Sequence, residues 1–281
     1  MIKFNLQFPH NHFKSFNRGS IIVVLFIFTQ IYVLLKEIVI AFQSFGEANL
    51  FIRQHKMVKW IIIPGIIYTL LFIVAMILFA QSANGAVNWL SQQLRIEPWL
   101  QKERNPLLAF IFVMTGIMLR LVLFLFYFAL FKYLILIIGS PVFAYLSEKT
   151  EAIIENREYK FNLKQILPDA KRSIRLALRN AGWQTVYMIG IIFLSLIPVI
   201  GWITPLIAII VECYYYGFSM LDYGLAKNDF NLQKSIYYSG RHKGLSIGNG
   251  IVFYLMHAVI IFAPAFAIIA SSLSVIKVKT D

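Results

Sequence analysis

The sequence predicts an all-α integral membrane protein: two full transmembrane helices, two Pro-bent half-penetrating helical hairpins and an N-terminal interfacial helix. Three observations predict it. The chain is 59% hydrophobic and 14% charged, with a mean hydropathy of +0.71, and a soluble protein of that composition would expose large apolar patches. The runs Trp60–Ala80 and Leu107–Ile138 reach or exceed the roughly 20 apolar residues that a helix needs to cross the hydrocarbon. Further along, a pair of apolar stretches is bent at proline midway, in SLIPVIGWITP and around Pro264.

Residues 1–34 form a basic and then apolar extension, with Lys3, Lys14 and Arg18 ahead of Ile21–Leu35. The order is that of a signal peptide, but no small-residue cleavage site follows. Either this segment lies at the interface or translation begins near Val33. Residues 35–281 read as a single helical membrane domain. Leu35, Ile38, Phe42, Phe45, Ala48 and Ile52 step by three and four opposite Lys36, Gln43, Glu47 and Gln54, the pattern of a helix lying in the interface.

The first span is Trp60–Ala80, and Trp89 and Trp99 beyond it suit an interfacial belt. Pro106 opens the second helix, whose apolar run is about 48 Å long at 1.5 Å per residue, so it must tilt or protrude. Lys132 in it reads as a snorkelling residue at the inner interface. Arg120 reads as a midplane charge facing a cavity or a partner.

Ser147–Gly182 carries Lys149, Arg157, Lys160, Lys164, Lys171, Arg172, Arg175 and Arg179 against five acids, which places it in the cytoplasm by the positive-inside rule. Lys164, Lys171, Arg175 and Arg179 fall on one helical face, opposite Ile166, Ala170, Ile174, Ala177 and Ala181, with Pro168 a candidate helix start. That stripe is either a solvated or headgroup-facing surface, or a cationic ring that draws anions to a pore mouth.

The arms Gln184–Ile197 and Leu206–Leu221 flank Pro198, Gly201 and Pro205. Each arm is short for a span, so the stretch reads as a hairpin that returns to the side it left, or as one kinked span. Its pattern recurs. GIIF at Gly190 matches GIVF at Gly250, PLIAII at Pro205 matches PAFAII at Pro264, and RSI at Arg172 matches KSI at Lys234. These matches suggest a duplicated basic-helix-plus-hairpin unit over about 163–222 and 225–277. Glu212 in the second arm needs a counter-charge, and Arg120 is the deep cation expected to supply it. His257 reads as a buried hydrogen-bonding residue.

Several function classes fall away. The net charge of +13 first means cytoplasmic loops, not a nucleic-acid partner. Cys213 is the single cysteine, the histidines show no metal-binding spacing, and GLSIGNG at Gly244 lacks the order of a dinucleotide loop. No enzyme, metal or cofactor is expected.

Taken together, the interfacial helix leading through QHKMVKWIIIP, the stretch SPVFAYLSEKTE, the bent hairpin and LDYGLAKNDF followed by KSI resemble the CysZ sulfate-uptake proteins and the etoposide-induced membrane proteins. Pro141 and Glu148 fall in one family-like motif, Asp222 and Tyr223 in another. The resemblance implies a homo-oligomer in the cytoplasmic (inner) membrane of a bacterium that admits sulfate for cysteine synthesis. The family's glycine-aliphatic-arginine anion motif matches Lys56, Met57 and Val58, followed by Lys59. Here glycine gives way to Lys56 and the first arginine to Val58, so a bidentate fork becomes a point charge. Gly224 stands where the family usually has proline. The expected anion-binding residues are Lys56, Lys59 and Arg120, with Arg120 and Glu212 as the pore ion pair. No ATP-binding or proton-relay motif is visible, which favours a channel or passive uniporter. The alternative is a membrane scaffold or regulator whose basic cytoplasmic helices bind acidic membrane lipid or a partner.

Overall fold

A computed structural model describes residues 18–93, 105–158, 163–226, 230–256 and 263–280. The expectations for residues 1–17, Trp99, Lys160 and His257 lie outside the described residues. Helices make up the fold, with no strand among the described residues: α1 (Arg18–Gln54), α2 (Lys59–Gln93), α3 (Pro106–Ile138), α4 (Ser140–Ile154), α5 (Leu163–Ser195), α6 (Thr204–Leu225), α7 (Leu232–Arg241), α8 (Lys243–Met256) and α9 (Ala263–Thr280). The chain is an all-α membrane protein. Val23–Gln54, Val58–Gln93, Pro106–Ile138 and Ile200–Leu225 are each long and apolar enough to cross a membrane.

The N-terminal region differs from the sequence expectation in two ways. Helix α1 runs through residue 34 without a break, joining the apolar extension to the amphipathic stretch. Its buried face is Glu37, Ile40, Ala41, Ser44, Phe45, Ala48 and Ile52, whereas Leu35 and Phe42 are exposed. The cause is α8. A Cβ on Gly244 would overlap the Leu34 carbonyl, and one on Gly248 would stand 2.8 Å from Ala41 Cβ. Between membrane helices small residues gain contact by close approach, while large apolar ones are equally content in lipid. Small residues of α1 such as Ala41 therefore turn toward α8.

Helices α2 and α3 run antiparallel, zipped by aromatic pairs. Tyr68 packs on Phe131 (5.4 Å between centroids), Phe72 on Phe128 (5.6 Å) and Phe79 on Tyr127 (5.0 Å). Gly139 then bends the chain into α4, with Pro141 in its first turn. Helix α5 carries the predicted basic face, with Lys164, Lys171 and Arg175 exposed and Ile166, Ala170 and Ala177 buried. It starts before Pro168, which lies inside it.

The reversal falls where the prolines predict it. The Ile200 N–H donates to the Pro198 carbonyl at 2.9 Å, a γ-turn centred on Val199 at φ 71°, ψ −54°. Positive φ is costly for a β-branched residue. Next to it, Gly201 is obligatory, because a Cβ would stand 2.5 Å from the Ser195 carbonyl oxygen. Helix α6 then returns and crosses α8 backbone to backbone: a Cβ on Gly217 would overlap the Ser246 carbonyl, and one on Gly250 the Cys213 carbonyl.

Candidate functional site

The aromatic zip between α2 and α3 fixes how deep each charge sits. Tyr68, which packs beside Lys132's neighbour Phe131, is nine residues from Lys59, about 14 Å along the helix. That is close to half of a hydrocarbon core of roughly 30 Å. Lys132 thus stands level with the middle of the apolar run Trp60–Ala80, and it is fully buried. It forms an ion pair with the fully buried Glu212 of α6 and donates to the Tyr254 hydroxyl of α8 at 2.5 Å. Its ammonium also lies 4.2 Å from the Tyr254 ring centroid and 4.6 Å from those of Phe128 and Tyr216. Aromatic faces attract a cation that has lost its water, so carboxylate, phenol and rings together replace a hydration shell. Beside it, the Tyr133 hydroxyl donates to Gln184 Oε1 at 2.7 Å and carries the polar layer onto α5.

Both expectations for this region are corrected. Lys132 does not snorkel, and Glu212 pairs with Lys132 instead of Arg120. Arg120 precedes Lys132 by twelve residues, about 18 Å along α3, and its Nη2 lies 3.5 Å from Asn88 Oδ1. Asn88 is 29 residues from Lys59, roughly 44 Å along α2, beyond the apolar run Trp60–Ala80. Arg120 therefore stands toward the far end of the bundle, out of reach of Glu212.

Two of the motif residues, Asp222 and Tyr223, stand in a second buried polar cluster. The Arg172 guanidinium donates to Asp222 Oδ1 at 2.8 Å and to the Ser235 hydroxyl at 2.5 Å, and the Ser173 hydroxyl lies 3.4 Å from Asp222 Oδ2. The serines of RSI and KSI thus converge on one ion pair. The Tyr223 hydroxyl donates to the Leu136 carbonyl at 3.2 Å, an acceptor in the last turn of α3, where the helix runs out of its own donors. Ser147 donates to the Tyr223 carbonyl at 2.8 Å and sits 3.0 Å from Ser272 Oγ. Glu148 is buried on the same helix, and Pro141 is exposed in its first turn. These residues clamp α3, α4, α5, α6, α7 and α9 together.

Lys56 and Lys59 are exposed at the α1–α2 junction. The Met57 N–H donates to the Ile52 carbonyl at 3.0 Å and the Lys56 N–H to the Arg53 carbonyl at 3.4 Å. This pair of bonds is a Schellman cap with Lys56 in the left-handed position, φ 53°. The position thus adopts the backbone shape that glycine favours, although lysine occupies it. Helix α2 begins at Lys59, and the Trp60, Ile61 and Ile62 N–H groups of its first turn donate to the Met57 and Val58 carbonyls at 3.0–3.1 Å, so this helix start is already capped by backbone. Lys149 of α4 lies 5.8 Å from the Trp60 ring centroid and adds a cation beside them.

Sequence reasoning missed the Lys132–Tyr254 contact and the Glu37–His242 pair (2.6 Å). It also left GLSIGNG without a role, although Gly244 and Gly248 stand four apart as in close-packed membrane helices. Comparison with known families gives a match of residues 44–270 to the family described as sulfate transporter CysZ/etoposide-induced protein 2.4.

Proposed function

The chain belongs to the sulfate transporter CysZ/etoposide-induced protein 2.4 family, and from that premise we propose that it passes an inorganic oxyanion, sulfate, inward through the cytoplasmic membrane of a bacterium by a channel-like, passive route. The basic loops face the cytoplasm in this reading, both hairpins enter from that side and return, and the working unit is a homo-oligomer. The observation that carries the route is the fully buried Lys132, level with the middle of Trp60–Ala80 and held by a carboxylate.

A doubly charged anion cannot shed water without replacement donors. Lys56 and Lys59 would supply them at one end, as ammonium donors. Arg120 would supply them toward the other. Between these, sulfate would replace the Glu212 carboxylate beside Lys132, with Glu212 taking up a proton from water as it gives way, so that neither side chain stands as an unpaired charge in a dry interior. Closing the path then needs Glu212 to lose that proton and return.

Radiolabelled sulfate flux into proteoliposomes tests this reading, with phosphate and chloride compared. We expect flux well above empty vesicles, and a fall of at least about tenfold in the Lys56→Ala/Lys59→Ala/Arg120→Ala variant, which corresponds to about 1.4 kcal/mol of lost stabilisation. Undiminished flux in that variant would show that these cations do not line the route. No flux from correctly assembled wild-type protein would favour the second reading, a scaffold or regulator, which the exposed stripe of Lys164, Lys171 and Arg175 supports.

A further inference from the structure

Away from the proposed route, α1 and α7 diverge around an open groove of about 1090 Å³. One wall is Ile31, Val33 and Leu34 of α1, part of a helix face whose large apolar side chains stand exposed from Val23 onward. The opposite rim carries Lys234, Arg241 and Lys243, all exposed. Among the described residues none of these three forms an ion pair with an acid. The one carboxylate in the lining, Glu37, is already engaged: it contacts His242 Nδ1 at 2.6 Å and accepts the Leu245 N–H at 3.2 Å. Tyr238 also lines the groove, and its buried hydroxyl has no hydrogen-bond partner among the described residues. Burial pushes that phenol up to about 12, so it remains a donor at neutral pH.

Arg241 donates to the Tyr237 hydroxyl at 3.1 Å, which leaves its charge uncompensated, and three cations without an acidic partner beside an apolar wall are complementary to an amphiphile with an anionic head. A free oxyanion would leave the wall exposed, and a neutral lipid would leave the cations unmatched. We propose that this groove binds one anionic glycerophospholipid, its phosphate held by Lys234, Arg241 and Lys243 and an acyl chain lying along Ile31, Val33 and Leu34. The site is separate from Lys56, Lys59, Lys132 and Arg120, and its occupancy does not depend on whether sulfate is the cargo.

Mass spectrometry of the intact full-length protein in detergent, titrated with phosphatidylglycerol, phosphatidylcholine or inorganic phosphate, tests the proposal without a transport assay. One phosphatidylglycerol should bind at least about tenfold more tightly than phosphatidylcholine, at roughly fivefold per matched cation. Lys234→Gln/Arg241→Gln/Lys243→Gln should abolish that preference, whereas Lys164→Gln/Lys171→Gln/Arg175→Gln on α5 should retain it. Ile31→Glu should abolish binding with every cation in place. Equal affinity for the two lipids, an equal loss in the α5 variant, or displacement of the lipid by millimolar inorganic phosphate would each overturn it.

Discussion

Helices α5 and α6, joined at the Pro198 reversal, and α8 and α9, the arms of the proposed second hairpin, occupy opposite environments. In the first, the basic helix and the first arm are one continuous α5, and the tip stands clear of the bundle, with Ile203 60% and Leu206 64% exposed. In the second, a break at His242 (φ −104°, ψ 55°) separates basic α7 from α8. Its arms lie at the centre, with Ala267, Ile268 and Ile269 fully buried. The arms differ in residue size. The α5 arm presents Trp183, Val186, Tyr187 and Phe193 outward, whereas α8 offers Gly244, Gly248 and Gly250. Polar glue follows the same division: Asn249 of α8 donates to Ser274 Oγ at 3.2 Å and accepts from the Ser271 hydroxyl of α9 at 3.0 Å. Without a hydrophobic drive between helices in lipid, small residues and hydrogen bonds decide which hairpin becomes the hub.

The strongest way to break this comparison is to cut the link between the hairpins. Glu212 belongs to the first and Tyr254 to the second, with Lys132 between them. Lys132→Met should cost about 3–5 kcal/mol, because it strands a buried carboxylate. Lys132→Met/Glu212→Gln should recover most of that loss in detergent unfolding curves while failing to carry sulfate. A stable double variant with normal flux would remove Lys132 from the route.

Next comes a matched pair of glycines. Gly190 and Gly250 hold the same place in GIIF and GIVF, yet a Cβ on Gly190 meets nothing within 4 Å while one on Gly250 overlaps backbone. Gly250→Ala should cost about 3 kcal/mol as helices α6 and α8 are forced apart. Gly190→Ala should be neutral or stabilising by up to about 1 kcal/mol through helix propensity. Equal midpoints for the two variants would erase the contrast. The smallest effect is expected at the exposed tip, where Val199→Gly should relieve positive-φ strain and raise stability by about 1 kcal/mol, net of glycine's entropy cost.

Much of the architecture was legible in the sequence because its signals are local. Prolines and Gly201 marked the reversal, the spacing of Lys164, Lys171 and Arg175 marked an outer face, and the apolar runs marked α2 and α3. Charge pairing was not legible, since it depends on register between helices far apart in the chain. Counting from Leu107 put Arg120 at mid-depth, whereas the aromatic zip slides α3 until Lys132 takes that level. The face of α1 was read only in part for a related reason: Phe45, Ala48 and Ile52 of the predicted stripe are buried, whereas Leu35 and Phe42 are exposed. Periodicity ranks faces by hydrophobicity, but α8 selects for smallness, and the four-residue spacing of Gly244 and Gly248 was the available clue. The duplication over about 163–222 and 225–277 remains our proposal, supported by Ser173 and Ser235 meeting at Arg172.

The Lys132–Glu212 pair has an electrical consequence. As a unit it is neutral, so the membrane potential exerts no net force on it while the two remain together. If either partner moved alone, the field would act on a whole elementary charge, worth about 2.3 kcal/mol per 100 mV for full transit. Any opening that parts them would then acquire a voltage dependence that the resting bundle lacks.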